Sequence, residues 1–248
     1  GLSLLILRAV KSLGLPLVLS VHDYSLMCPR FSLLKGSGEI CQSPRPICQV
    51  INKMKMLVVD NKPDIVTASS QFVINKIREN GLFNKTKCIK LWRALSLDDA
   101  YLAKKTYEII DILYSGQLTR AKGVHVIIDA FKQIKHKNIR LHIVGRGPYA
   151  EELKGIAGGD SRIVFHGFKQ WEELKELYKK ASVTVVPSIW YEPFGIIIIE
   201  SFKYGTPVIG SNIGGIQEIV EDGYNGLLFE AGNGNQLKDI LEGLIENP

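Results

Sequence analysis

The chain has 248 residues, 46% of them apolar and 23% charged. That is ordinary globular composition, long enough for one large domain or two smaller ones with a core that needs no disulfide or metal support, and it excludes disordered, collagen-like and mini-protein classes. Subtracting 25 acidic from 31 basic residues leaves a net charge of +6, a balance that suits phosphate-bearing ligands or an anionic membrane surface and equally a solvated basic face. No basic run resembles a nucleic-acid-binding tail, and no nucleic-acid partner is expected. Apolar runs such as 4–7, 57–59 and 196–199 fall far short of the roughly 18 residues a membrane-spanning helix needs.

The chain opens Gly1-Leu2-Ser3 and enters a helical pattern at once. No basic region precedes the apolar run and no small-residue cleavage site follows it promptly, so the start does not read as a signal peptide. It reads as a chain that begins inside a domain, and it stops as abruptly at Asn247-Pro248. Strands are expected at 17–21, 65–68 and 88–91, with a helix at 71–80. The rhythm restarts with a strand at 109–114, a helix at 124–135 and a strand at 140–144. Helices at 149–156, 171–180 and 196–204 then alternate with strands at 162–165, 183–186 and 207–209. A strand at 225–229 and a helix at 235–245 close the series. Short apolar strands separated by helical stretches predict βαβ units and parallel sheets. The polar stretch 96–108 breaks the rhythm and is read as a linker between two α/β domains, 1–100 and 109–248.

Four cysteines are too few for a disulfide scaffold. Cys28, Cys41 and Cys48 lie in a loop-like stretch, with 12 and then 6 residues between them. That spacing matches no common zinc pattern; free thiols are the simpler reading beside a local disulfide or metal clip.

In open parallel sheets ligands bind beyond the carboxyl ends of the strands, so the turns there carry the chemistry. Gly116-Gln117-Leu118-Thr119-Arg120-Ala121-Lys122-Gly123 combines glycines with cations ahead of a helix, as a phosphate site does and as an ordinary capped turn also does. Gly145-Arg146-Gly147-Pro148 has two of the dinucleotide glycines but no acidic ribose partner about 20 residues on, which favours a structural turn. Glu192-Pro193-Phe194-Gly195 runs into Ile196 and, eight positions beyond Glu192, Glu200. Gly195 and the amides after it form a helix start that favours an anion. Glu200 follows four isoleucines, an apolar setting in which a carboxylate needs a hydrogen-bonding partner such as a sugar hydroxyl. The plainer alternative makes Glu192 a capping acid and Glu200 a surface residue. Ser211-Asn212-Ile213-Gly214-Gly215 is a further glycine-rich turn, equally readable as a flexible loop.

Taken together these strings resemble the retaining glycosyltransferases of group 1 (family 4). The pieces are Gly116-Gln117-Leu118 with Lys122-Gly123, Ile143 to Pro148, Phe165-His166-Gly167-Phe168, Val186-Pro187-Ser188, the Glu192-to-Glu200 string, Gly205 to Ile209, and Gly214 to Val220 with Asp222-Gly223 and Asn225-Gly226. Their order and spacing match across about 110–229, nearly the whole second domain. Leu15-Pro16, Val21-His22-Asp23-Tyr24, Cys28-Pro29-Arg30 and Thr67-Ala68-Ser69-Ser70 match the family's acceptor domain more loosely.

The resemblance implies two Rossmann-like domains of the GT-B architecture, the first an incomplete acceptor side and the second the nucleotide-sugar side. It implies transfer of a hexosyl-type sugar from a UDP- or GDP-linked donor to a hydroxyl acceptor, a glycan, a lipid-linked molecule or a small molecule, as in polysaccharide biosynthesis, with no metal and no other cofactor. Lys122 would bind the diphosphate, with Gly116 and Gln117 in the same loop, and Glu200 the ribose. Glu192 and the Phe194-Gly195-Ile196 backbone would face the transferred sugar and phosphate. His22 would sit near the reacting centre, although a histidine past a strand end is as often structural, and His166 would lie by the base. A cytoplasmic location follows, with contact at the inner face of an anionic membrane.

The sequence also departs from the family. Gln117 stands where an arginine is usual, so a phosphate loses a cation unless Arg120 substitutes. Arg93-Ala94 replaces an Asn-Gly. The family's N-terminal glycine-rich loop and its C-terminal crossing helix have no counterpart, so the chain reads as truncated at both ends. An inactive sugar-nucleotide-binding module and, on the G-x-G string, a dinucleotide-dependent oxidoreductase are the alternatives.

Overall fold

The computed structural model describes residues 4–60, 62–97 and 108–246. Most of the expected linker, 98–107, lies outside them. The chain divides into two compact units. The first comprises residues 1–93 together with Trp190–Phe194, and the second residues 94–189 and 195–248.

Three short parallel strands, β1 (Val18–Val21), β2 (Ile65–Ala68) and β3 (Lys87–Lys90), form the sheet of the first unit in that order. Its helices are α1 (Ile6–Ser12), α2 (Pro46–Val59) and α3 (Gln71–Glu79). α3 starts where Ser70 accepts a hydrogen bond from the Val73 amide at 3.2 Å, and it buries Val73, Ile74 and Ile77 on one face. These join Val21, Tyr24, Val59, Val66 and Phe83 in one apolar core. α2 corrects the loop-like reading of the cysteine-bearing stretch: Cys48 sits on this 14-residue helix, which begins with Pro46 at a position where its missing N–H costs nothing. All four cysteines are unbonded thiols.

The second unit is a six-stranded parallel sheet in the order β6-β5-β4-β7-β8-β9. Its strands are β4 (Ile110–Ser115), β5 (Ile139–Val144), β6 (Ile163–Gly167), β7 (Val183–Val186), β8 (Val208–Ser211) and β9 (Gly226–Phe229). The helices are α4 (Val124–Gln133), α5 (Ala150–Ala157), α6 (Trp171–Lys180), α7 (Ile196–Lys203) and α8 (Gly234–Glu246). Ile112, Tyr114, Leu141 and Ile143 point to the face covered by residues of α4, α5 and α8. Leu113 and Val144, one residue out of phase, point to the other face and pack with Tyr178 and Tyr204. The strand order reverses between β4 and β7, and it is at such a switch point that open α/β sheets bind ligands.

Trp190–Phe194 departs from the expected 109–248 domain by belonging to the first unit. Its aromatic residues explain this. Trp190 meets the buried Tyr24 ring edge-on at 6.1 Å, and Tyr191 packs on Phe72 at 5.0 Å with Lys76 over its ring. Ser69 donates to the Pro193 carbonyl at 3.3 Å.

Candidate functional site

At the switch point of the second unit, the loop after β4 meets the loop after β7 backbone to backbone. Gly123 has φ +68°, and a β-carbon there would lie 1.8 Å from the Pro187 carbonyl oxygen. Only glycine satisfies both conditions. The Ile189 amide donates to the Ala121 carbonyl at 2.9 Å, closing the junction. On its other side the β4 loop runs against the β5 loop. A β-carbon on Gly145 would lie 1.8 Å from the Gly116 carbonyl oxygen, and Leu118 N donates to Arg146 O at 3.0 Å. The two glycines around Arg146 are therefore accounted for by backbone packing.

Gly116, Gln117 and Lys122 share this β4 loop. Lys122 ends a single 3-10 turn, Arg120–Lys122, directly before α4, and is half-buried. Gln117 is exposed, and its carbonyl accepts a hydrogen bond from the Tyr114 hydroxyl at 2.9 Å. The expectation that Arg120 replaces the absent arginine meets a competitor. Its guanidinium lies over the Tyr149 ring at 5.7 Å and 3.7 Å from a Glu152 carboxylate oxygen.

Glu200 sits on α7, whose N-cap is Gly195 at φ +91° with no side-chain cap. Glu192 is thus not a capping acid. The amides of Ile196 and Ile197 precede the first helical bond of α7, in which Ile198 N donates to Gly195 O at 3.0 Å, and the helix dipole adds positive potential at this end. Of the four isoleucines only Ile198 is fully buried; the others are half-buried, a looser anchor than an apolar run suggests. The carboxylate is not waiting for a sugar to supply its first partner. The buried Tyr178 hydroxyl donates to Glu200 Oε2 at 2.9 Å and is itself hydrogen-bonded to Ser115, the last residue of β4. This chain ties α7 to the carboxyl end of β4. Burial pushes the Glu200 carboxyl above the usual carboxylate range, and the Tyr178 hydrogen bond partly offsets that shift.

His166 lies near the end of β6 and is half-buried. Its Nε2 is 2.9 Å from His142 Nδ1 on β5, and His142 Nε2 is 3.0 Å from Asp111 Oδ1 on β4. Burial, then His142 and Lys169, hold the His166 imidazole below its ordinary value. On the rim nearby, the Arg146 guanidinium stacks over Phe168 at 4.8 Å.

The remaining candidates, His22, Glu192 and Phe194, belong to the first unit. His22 is exposed just past β1; its Nε2 is 2.9 Å from Ser20 Oγ, which accepts from Thr67 Oγ1 at 3.0 Å. Glu192 is 7% exposed, and Trp190 Nε1 donates to its Oε2 at 3.1 Å. The Tyr24 hydroxyl is buried, and burial followed by the Glu192 charge raises its pKa well above the ordinary phenol value. Phe194 is buried.

Sequence reasoning missed Tyr178, Ser115, His142, Asp111 and Trp190 as partners of the candidate residues. Tyr178 occupies an apolar helix position, and only strand register reveals that His142 lies beside Leu113 and Val164. Among the described residues no group of three or more His, Cys, Asp or Glu side chains is placed to hold a metal ion, and no helix is long and apolar enough to cross a membrane.

Residues 101–248 match the family model "Glycosyl transferases group 1". The chain is 42% identical over 120 residues to the uncharacterized glycosyltransferase MJ1607 of Methanocaldococcus jannaschii, which is 47% of this chain and 30% of that protein. It is 32% identical over 186 residues to MJ1178 of the same organism, covering 74% of this chain and 50% of the relative. The chain therefore spans half or less of these relatives. Among solved structures, Anabaena Alr3699/HepE, crystallised with UDP and glucose, superimposes with a TM-score of 0.78 at 23% identity, covering 98% of this chain and 66% of that one. The folds agree as GT-B type α/β structures with parallel sheets.

Proposed function

The chain belongs to the group 1 glycosyltransferases, and on that premise we propose that it moves a sugar, with retention, from a nucleoside-diphosphate donor to a hydroxyl acceptor. The observation that carries this reading is the switch point of the second unit. There Lys122 and the first amides of α7 provide positive potential, and Glu200, tied through Tyr178 to Ser115, provides a carboxylate for hydroxyl groups. Alr3699/HepE, a fold relative, is crystallised with UDP and glucose.

In the reaction the bond between the sugar C1 and the diphosphate oxygen breaks, and the acceptor oxygen forms the new bond and passes its proton to the departing diphosphate. Negative charge grows on the departing diphosphate. Lys122 and the preorganised amides at Gly195 and Ile196 meet that charge, the electrostatic term that dominates many such transition states. Gly116 and Gln117 place loop backbone beside the phosphates, Glu200 accepts ribose hydroxyls, and His166 lies by the base. The roles of His22, Glu192 and Phe194 at the sugar are carried over from the family resemblance alone. The chemistry so described calls on no cofactor beyond the donor, taken as UDP- or GDP-linked.

A second reading, a sugar-nucleotide-binding module without transfer, is favoured by one feature. Gln117 is neutral, and the neighbouring cation Arg120 is engaged with Tyr149 and Glu152. A panel of UDP- and GDP-sugars, each followed by thermal shift and by release of the nucleoside diphosphate with glycan and lipid acceptors, separates the two. Stabilisation with release supports the transferase. Stabilisation without release supports the module, and no stabilisation by any donor contradicts both.

A further inference from the structure

Three polar side chains cross three neighbouring strands of the second unit: Asp111 on β4, His142 on β5 and His166 on β6. The two imidazoles are stacked with centroids 5.1 Å apart. A carboxylate only accepts, so His142 carries a proton on Nε2 and donates it to Asp111 Oδ1 across 3.0 Å. With one proton on that ring, its Nδ1 is an acceptor. His166 must then donate from Nε2 across 2.9 Å, which leaves its own Nδ1 as an acceptor.

One additional proton reverses the polarity of the chain. His142 becomes an imidazolium that donates to Asp111 from Nε2 and to His166 from Nδ1. His166 then accepts at Nε2 and carries its single proton on Nδ1, which becomes a donor. The solvent proton lands on His166 Nδ1, the ring nitrogen the relay leaves uncommitted, while the His166 Nε2 proton passes to His142 Nδ1. The far end of the relay borders a cleft of about 200 Å³ lined by Asp111, Arg140, His142 and Lys180 with two leucines. Asp111, on β4, faces the added charge and favours it on His142. Arg140 on β5 and Lys180 on α6 oppose it from the same cleft, and Lys169 acts on His166. Burial, His142 and Lys169 hold His166 below the ordinary imidazole value, and the Asp111 carboxylate touches His142 and not His166, so the ion pair forms with the charge on His142.

We propose that Asp111 and His142 are positioning residues that set the hydrogen-bonding sense of His166 Nδ1, an acceptor while the histidine pair is neutral and a donor once His142 takes a proton. The ligand chemistry it reads is the N–H of a nucleobase, such as the imide of uracil, which finds its acceptor only in the neutral form. Placing His166 beside the base rests on the function proposed above, whereas the proton relay does not.

Nitrogen-15 spectra of the imidazoles in the full chain, recorded from about pH 8 down to about pH 5, test the relay directly. The expected result is His166 protonated at Nε2 and bare at Nδ1 near pH 8, changing to a neutral Nδ1–H form as the histidine pair takes up one proton. In His142→Phe the pH-driven change to this form is lost, and in Asp111→Ala, where no carboxylate fixes the His142 proton on Nε2, the Nδ1–H form of His166 is no longer confined to low pH. His166 protonated at Nδ1 near pH 8, or passing straight to its doubly protonated form in the parent, overturns the proposal. Titration with UDP is the second arm. The relay and the donor reading together predict perturbation of His166 and about tenfold weaker UDP binding once His142 is protonated, the equivalent of one hydrogen bond. A tautomer change that UDP neither senses nor follows upholds the relay and refutes the placement of the base at His166. UDP binding with no tautomer change refutes the relay.

Discussion

The α-carbon of Gly123 faces the carbonyl of Pro187 so closely that a β-carbon would stand 1.8 Å from its oxygen. This approach joins the loops after β4 and β7 at the point where the strand order reverses, so the geometry of the proposed diphosphate site depends on it. Gly123→Ala meets both a positive φ and a backbone clash. The φ alone costs about 1–2 kcal/mol, and relieving the clash moves one of the two loops. Gly159 offers the control: its φ is +76° and a β-carbon there meets nothing within 4 Å. Thermal melting should show Gly123→Ala losing clearly more stability than Gly159→Ala, and equal losses would contradict the packing argument.

Glu200 makes stability depend on pH with a definite sign. Its folded value is raised, chiefly by burial. Between its unfolded value of about 4.3 and the raised folded value, the native state binds more protons than the unfolded state. The contribution of this group therefore falls as pH rises through that window and stays lost above it. Glu200→Gln removes the term, so the stability of the variant relative to the parent should increase as pH rises from about 4 and level off above the raised folded value. Denaturant titrations at a series of pH values measure it, and a difference that is flat or of opposite slope would count against the buried-carboxylate account.

Lys122 is assigned to charge on the diphosphate, and charge is screened. Lys122→Ala should weaken UDP binding in dilute buffer, and the gap to the parent should narrow as salt is raised from about 0.1 M to about 1 M, where the Debye length falls from ~10 to ~3 Å. A gap independent of salt would mean that Lys122 acts by packing.

In the first unit Trp190→Phe keeps an aromatic ring beside Tyr24 but removes the Nε1–H that Glu192 accepts at 3.1 Å. A buried carboxylate that loses a donor costs about 1–3 kcal/mol. Chemical denaturation should record a loss of that size, and an unchanged midpoint would show that the Trp190 bond contributes nothing.

The strands were legible because they are short, apolar and bounded by turn residues, and every strand expected from sequence is present within a few residues. α2 was not. Ile47, Val50, Met54 and Leu57 are exposed on it, so the polar-outside contrast that marks a surface helix is missing. Of the candidate site, the Gly116-to-Gly123 and Glu192-to-Glu200 strings were visible as residue types. What holds them was not. Tyr178 lies 22 residues before Glu200 and reaches it only through the packing of α6 beside α7. The attachment of Trp190–Phe194 to the first unit likewise depends on contacts with Tyr24 and Phe72, more than 100 residues away.

In the function proposed above, the second unit binds a nucleoside diphosphate at the β4–β7 switch point with Glu200 as a ligand to its hydroxyls. Calorimetric titration of UDP and GDP into the parent and into Glu200→Gln tests it most directly. The amide is nearly isosteric and can still accept from Tyr178, so the fold should persist. Replacing a charged acceptor with a neutral one at a half-buried position should then weaken binding about ten- to a hundredfold. If the parent binds one nucleotide well and Glu200→Gln binds it equally tightly, Glu200 is a structural acid held by Tyr178 and the site has been assigned wrongly.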